Sequence, residues 1–401
     1  MSSLAVSSTI AVASLASLIA QALFGLLMLH LFAPADVGAF TVVAQLSFFW
    51  MTLALAQSPL SFLANSHLDP GRVLQQCLKS SATRWLFLAP VAAGFLWFAK
   101  VPSYWLFLAW SSCMALLQMG WYMAQPWTLR TGTVRSAAMV RALPPIAAVL
   151  MAGAAGLWWN GSGAMGLLLA ATLSFGIGSL WLFRASGGAA SPQPPVAPGA
   201  HAGEPAIARQ RDDRSVGLRL AHTVADAIAG TAVVLIWQRA YGLAEASYVA
   251  VLLRLLGLFP AMVYAAWPQV LLSRGQLRKN LSAWVGLAGA AGTAVAGLVA
   301  AWALQTEWLA PSWQHLAGYI APLVLWQCSA CLFAAHGHLP FQGGTARQFS
   351  WATIAFNTVQ LCVLVLPLAL TSIHAEQHVW WLAGSSACGL LALTLWMRAK
   401  T

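Results

Sequence analysis

Two ionisable side chains stand deep inside apolar stretches of this 401-residue chain, Asp226 and Arg254. A charge at the centre of a bilayer costs about 2.5 to 3.5 kcal/mol on insertion scales, so each needs a polar partner or a wet cavity. At about 1.5 Å per helical residue, both come roughly 15 Å deep, from opposite ends of successive stretches. Arg219, His222 and Asp226 follow at spacings of three and four, which puts them on one helix face as a polar stripe. A guanidinium offers a planar fork to phosphate, which makes Arg254 the candidate anchor for an anionic head group. Asp226 and His222 are the candidates for proton exchange. The competing reading is a structural Asp226–Arg254 ion pair between neighbouring helices, with Arg219 and Arg239 snorkelling to opposite interfaces. Gln45, Gln118 and Asn357, with Trp121, Tyr122 and Gln360, are further candidates. Such groups bond across helices at least as often as they bind substrate.

Other chemistries find no support in the spacing. Of the six cysteines, all but Cys77 fall in apolar spans, where a thiol acts as a small hydrophobe. Cys328-Ser-Ala-Cys331 has redox spacing but lies in mid-span without a flanking βαβ pattern. His336 and His338 diverge on a helix and have no third ligand nearby, so a solvated loop end beside Arg347 is expected and no metal or cofactor is implied. Gly-x-Ser-x-Gly, His-Glu-x-x-His and phosphate-loop motifs do not occur, and the carboxylates Asp36, Glu245, Glu307 and Glu376 stand singly in short links, so the chain is not read as an enzyme.

The elements that position these residues follow from composition. The chain is 60% hydrophobic and 7% charged, with mean hydropathy +0.73, too few charges to solvate a soluble fold of this size. Twelve stretches, from 4–32 to 379–396, are long enough to span a bilayer as helix. Among them are 37–63, a short third at 85–99, 216–237 and 248–272. The expected fold is an all-α polytopic membrane protein of about 12 transmembrane helices in two six-helix lobes. A Pro/Gly-rich linker at 185–215 separates the lobes at 1–184 and 216–401. With an inside N-terminus, seventeen of the twenty basic residues fall on the cytoplasmic side and only Lys100 and Arg239 outside. This bias places both termini in the cytoplasm. The net charge of +11 is therefore a topology signal and implies no nucleic acid. The carboxylate in each short outer turn, Asp36 and Glu245, recurs between halves of the same orientation, a transporter plan with its site where the halves meet.

Three segments resemble the polysaccharide-transport branch of the multidrug, oligosaccharidyl-lipid and polysaccharide exporter superfamily, which includes flippases of O-antigen and other lipid-linked sugars. They are Leu31-Phe32-Ala33-Pro34-Ala35-Asp36-Val37-Gly38-Ala39-Phe40, Ala225-Asp226, and the run from Tyr248 to Arg254 and Leu255 with Pro260 and Pro268 beyond it. The resemblance implies a V-shaped bundle with a cationic cavity. It also implies flipping of a polyprenyl-diphosphate-linked oligosaccharide across a bacterial inner membrane, for surface polysaccharide such as lipopolysaccharide. Its partners would be that substrate, membrane lipids and polysaccharide assembly proteins. Many relatives place basic residues in the first half of the cavity, whereas helices one and two here carry no Lys or Arg. Export of a small cationic or amphipathic molecule on Asp226, and a membrane-embedded glycosyl- or acyltransferase, are the alternatives.

The basic-residue bias yields a topology test. Single cysteines placed at 185–214 should react with impermeant reagent only from the cytoplasmic side, and those at 307–312 only from outside. Reversed labelling would invert the assignment.

Overall fold

The computed structural model describes residues 3–400 apart from 57, 65–67, 160, 186–205, 275–278 and 371. Some side chains within helices, Arg219 among them, also lie outside the description. Among the described residues there is no strand. The helices in chain order are α1 (Ser3–Leu31), α2 (Pro34–Leu55), α3 (Ser58–Ala64), α4 (Pro70–Ala99), α5 (Tyr104–Thr131), α6 (Val134–Trp158) and α7 (Gly163–Ala185). They continue with α8 (Ala206–Tyr241), α9 (Leu243–Leu256), α10 (Leu258–Arg274) and α11 (Lys279–Gln305). A 3-10 turn at Pro311–Leu316 precedes α12 (Ala317–His336), α13 (Leu339–Gln342), α14 (Ala346–Leu370) and α15 (Ala375–Lys400). Among the described residues, eleven stretches are long and apolar enough to cross a membrane. Helix α5, at 28 residues, has the length of a twelfth, but its tryptophans, Tyr122 and Gln118 lower its hydropathy. The chain is a multi-pass membrane protein, and Phe87, Trp97 and Trp105, each 77% exposed, are rings placed for lipid.

Several boundaries depart from the apolar runs. The expected span 37–63 breaks at Ala56, whose φ is +45°, into α2 and the short α3. Helix α4 starts well before the run at 85–99, because Asp69 caps it. The Asp69 carboxylate accepts from the Arg72 backbone N–H at 2.8 Å, and Pro70 takes the first helical position, where no N–H is needed. Helix α8 begins at Ala206, so the Arg-Gln-Arg-Asp-Asp-Arg run expected in the linker is helical. The Pro/Gly-rich part of the linker, 186–205, lies outside the described residues.

The helices cluster into two compact units, residues 1–27 with 42–213 and residues 28–41 with 214–401. In the first, α5 lies against α3, α4, α6 and α7. Trp121 is core there. Its Nε1 donates to the Val140 carbonyl at 2.6 Å, and its ring lies where a side chain at Gly178 would clash, 2.4 Å from an added Cβ. In the second unit α12 is central, touched by α9, α10, α11 and α15. Helix α11 turns Gly286, Gly289, Thr293 and Gly297 towards it, and a Cβ at Gly297 would come within 2.3 Å of Val324. This small-residue seam lets two backbones approach where apolar burial drives nothing. Cys328 and Cys331 belong to this seam. They are free thiols, with Cys328 Sγ 3.3 Å from the Ala290 carbonyl and Cys331 Sγ 3.5 Å from Thr293 Oγ1.

Residues 28–41, the elbow joining α1 to α2, are held inside the second unit. Trp313, fully buried, donates its Nε1 to the Phe32 carbonyl at 3.1 Å, and His30 stacks on Trp308 at 5.0 Å between centroids. Gly242, at φ +93°, makes the tight α8–α9 turn that glycine alone adopts cheaply. Gly38 meets that turn. A Cβ at position 38 would lie 1.9 Å from the Leu243 carbonyl oxygen. Gly38→Ala is therefore expected to cost about 1 to 3 kcal/mol through overpacking, read as a lower thermal midpoint in detergent. A variant as stable as the parent would mean that elbow and turn do not touch.

Candidate functional site

Helix α8 carries His222 and Asp226 one turn apart, with His222 Nε2 3.2 Å from Asp226 Oδ2. Asn357, buried on α14, donates from Nδ2 to Asp226 Oδ1. The Asp226 side chain is still 52% exposed and that of His222 21%. The carboxylate is thus steered on one side by two polar groups and open on the other. The His222 ring sits edge-on to Phe349, centroids 5.9 Å apart, which fixes the imidazole beside the acid. An imidazole at that distance can share a proton with the carboxylate, and an exposed acid can meet a cation.

Arg254 stands in the last turn of α9. The single helix expected over 248–272 is two helices, because α9 ends at Leu256 and α10 begins at Leu258. Pro260, which lacks an N–H, lies in the first turn of α10 and cannot bond back across the break. The carbonyls left at the end of α9 favour a cation nearby. The guanidinium lies over the elbow, with Nη1 4.0 Å from Met28 Sδ and Cζ 5.8 Å from the Phe40 ring centroid. Met28 and Phe40 are buried, while Arg254 is exposed. The structural Asp226–Arg254 pair is accordingly not formed. Asp226 is bound by His222 and Asn357, and the side chains of Met28 and Phe40 flank Arg254.

The other candidates divide. Gln118 is buried on α5 and its Oε1 has no hydrogen-bond partner. Gln45 is half-buried on α2, and Tyr122 is exposed. Gln360 donates to Ser386 Oγ at 2.8 Å, a bond between α14 and α15 that holds the bundle. The Arg219 side chain lies outside the described residues, so the three-residue stripe is seen only as His222 and Asp226. The solvated ending expected at His336 and His338 is a correction. They are 1% and 0% exposed, because the chain turns directly into α13, where Leu339 packs on Phe349 and Met397. Arg141, assigned from sequence to the cytoplasmic set, sits within the α6 span. Its Nη1 lies 3.5 Å from Ser14 Oγ of α1. Its place inside an apolar run, just before Pro144 and Pro145, was the available signal.

Helix order and length give the chain the fold of several solved membrane transporters. A solved structure of the lipid II flippase MurJ in an inward-closed conformation superposes with a TM-score of 0.65 at 11% identity, covering 99% of this chain and 88% of that one. A multidrug and toxin extrusion (MATE) transporter in complex with MaL6 gives 0.53 at 12% identity, covering 98% and 95%. An inward-facing multidrug resistance MATE family transporter, described as of the MOP superfamily, gives 0.50 at 13%, covering 96% and 94%. No family model matches the chain, and no curated protein matches its sequence.

Separate placement of the two charges has a measurable consequence. Asn357→Ala removes a donor to a carboxylate and should lower stability by about 1.5 to 3 kcal/mol. Asp226→Asn and Arg254→Gln should shift the thermal midpoint independently, the double variant matching their sum within about 0.5 kcal/mol. A larger coupling would restore the ion pair.

Proposed function

We propose that this protein flips a polyprenyl-diphosphate-linked oligosaccharide from the cytoplasmic to the outer leaflet of a bacterial cytoplasmic membrane by alternating access, for surface polysaccharide synthesis. The observation that carries the proposal is Arg254, an exposed arginine at a helix break within a membrane span. A bidentate donor suits a diphosphate, and helix breaks within spans are where transporters of several folds bind their cargo. The superfamily fold supports transport, and a flippase of lipid II stands among the proteins that share it. Asp226 and His222 are the groups through which a proton could be coupled to the cycle.

A second reading, export of a small cationic molecule, draws on one observation, the half-exposed Asp226 carboxylate. The two readings differ in which residue they cannot lose. In cells whose surface glycan depends on this protein, Arg254→Ala should abolish surface glycan at normal membrane abundance. Arg254→Lys should restore part of it, because a point charge replaces a fork. Normal glycan in Arg254→Ala, with loss of export of cationic dyes in Asp226→Asn, would overturn the flippase in favour of the second reading.

A further inference from the structure

At the end of the second unit that carries the α8–α9 turn, a cavity of about 440 Å³ opens between four segments. Its walls are Tyr241 from the end of α8, Glu245 from the start of α9, His315 and Tyr319 from the 3-10 turn and α12, and His374 and Glu376 from the link into α15. Its size falls within the range of small-ligand pockets. Two features of the local chain build it. The turn at Gly242 folds Tyr241 and Glu245 onto the same space. Gly318 leaves room for Glu376, whose Oε1 would be 2.5 Å from any Cβ at that position.

Beside the imidazoles of His315 and His374, the charged groups that line it are two carboxylates. Tyr319, 1% exposed, donates its hydroxyl to Glu245 Oε2, which aims that carboxylate and leaves its second oxygen for another donor. The Tyr241 hydroxyl is occupied by His378 Nδ1 at 3.0 Å and lies 3.3 Å from the Ile373 carbonyl, so what Tyr241 offers the cavity is its ring. No Lys or Arg lines the space, and among the described residues neither Glu245 nor Glu376 is in a salt bridge. Both acids sit in the first turn of a helix, where a carboxylate is stabilising by itself. That role explains their presence in those turns, but it does not explain why two turns from distant parts of the chain direct their acids into one aromatic-walled hollow in a chain of net charge +11. A bare metal ion fits poorly, since no three His, Cys, Asp or Glu side chains among the described residues converge as ligands. Carboxylates with tyrosine rings are instead the groups that recognise an organic cation, through charged hydrogen bonds and the ring faces.

We propose that this cavity binds an organic ammonium group, with Glu245 and Glu376 as its anionic partners and the ring of Tyr241 against its carbon skeleton, while Tyr319 aims Glu245 from behind. The same chemistry has two sources, the amino group of a sugar and a free polyamine. This site is separate from Arg254 and stands or falls independently of the flippase reading, because its test involves no translocation.

The test is calorimetric titration of the purified full-length protein in phosphatidylcholine nanodiscs with glucosamine, N-acetylglucosamine and spermidine. Saturable binding of glucosamine, spermidine or both is expected, with N-acetylglucosamine at least about tenfold weaker, since acetylation removes the charge at nearly constant shape. Binding of glucosamine alone identifies an amino sugar, of spermidine alone a polyamine, and of both an ammonium group irrespective of carrier. Glu376→Gln, at an exposed position, should weaken the amine at least about tenfold. Glu245→Gln should do the same in protein whose thermal midpoint shows it folded. Absence of amine binding, equal binding of the acetylated sugar, or affinity unchanged in both variants would overturn the proposal.

Discussion

The hydrogen bond from Trp313 to the Phe32 carbonyl closes the gap between α1 and α2, and the placement of the cationic centre depends on it. In a membrane protein a backbone carbonyl exposed by a helix break needs a partner. Here a fully buried indole supplies it at 3.1 Å. Once the elbow is fixed, Gly38 sits against the α8–α9 turn, and Met28 and Phe40 come beneath Arg254. The guanidinium therefore has a sulfur and an aromatic face beside it, which help to hold its position.

Asp226 follows a different rule. Its carboxylate is steered by an amide from α14 and by the imidazole one turn earlier on its own helix, and neither cancels its charge permanently. Within the second unit Arg254 and Asp226 are thus separate centres, each with its own neighbours. The proposed function uses that separation, with an anion at Arg254 and a proton at Asp226 and His222.

Much of this was legible in the sequence because the bilayer imposes a coarse code. Charges in apolar runs cost enough to be informative, so Asp226 and Arg254 stand out by type and depth, His222 by its spacing from Asp226, and Asn357 only as one amide among several. What they touch was not legible. Asp226 and Arg254 looked like partners by depth, and only the rotation of α8 and α9 about their axes shows that one faces Asn357 and the other the elbow. Local capping was legible but overlooked, since Leu68-Asp69-Pro70 announces the start of α4 before the apolar run begins. His336 and His338 misled because a polar residue after an apolar run reads as a solvated end, and the packing of α13 over them is a tertiary fact. The Glu245 turn was visible as a repeat of the Asp36 turn, yet its meeting with Glu376 needed the folded unit.

The central claim is that an exposed arginine in this fold serves a diphosphate lipid, and reconstitution tests it most directly. Purified protein in liposomes would be given fluorescent polyprenyl-linked sugars on one leaflet, in parallel as the diphosphate and the monophosphate, with arrival at the other leaflet read by quenching. The account predicts that protein speeds transfer of the diphosphate lipid well beyond that of the monophosphate, and that empty liposomes transfer neither. Equal rates for both lipids, or no acceleration of the diphosphate lipid over empty liposomes, would contradict it.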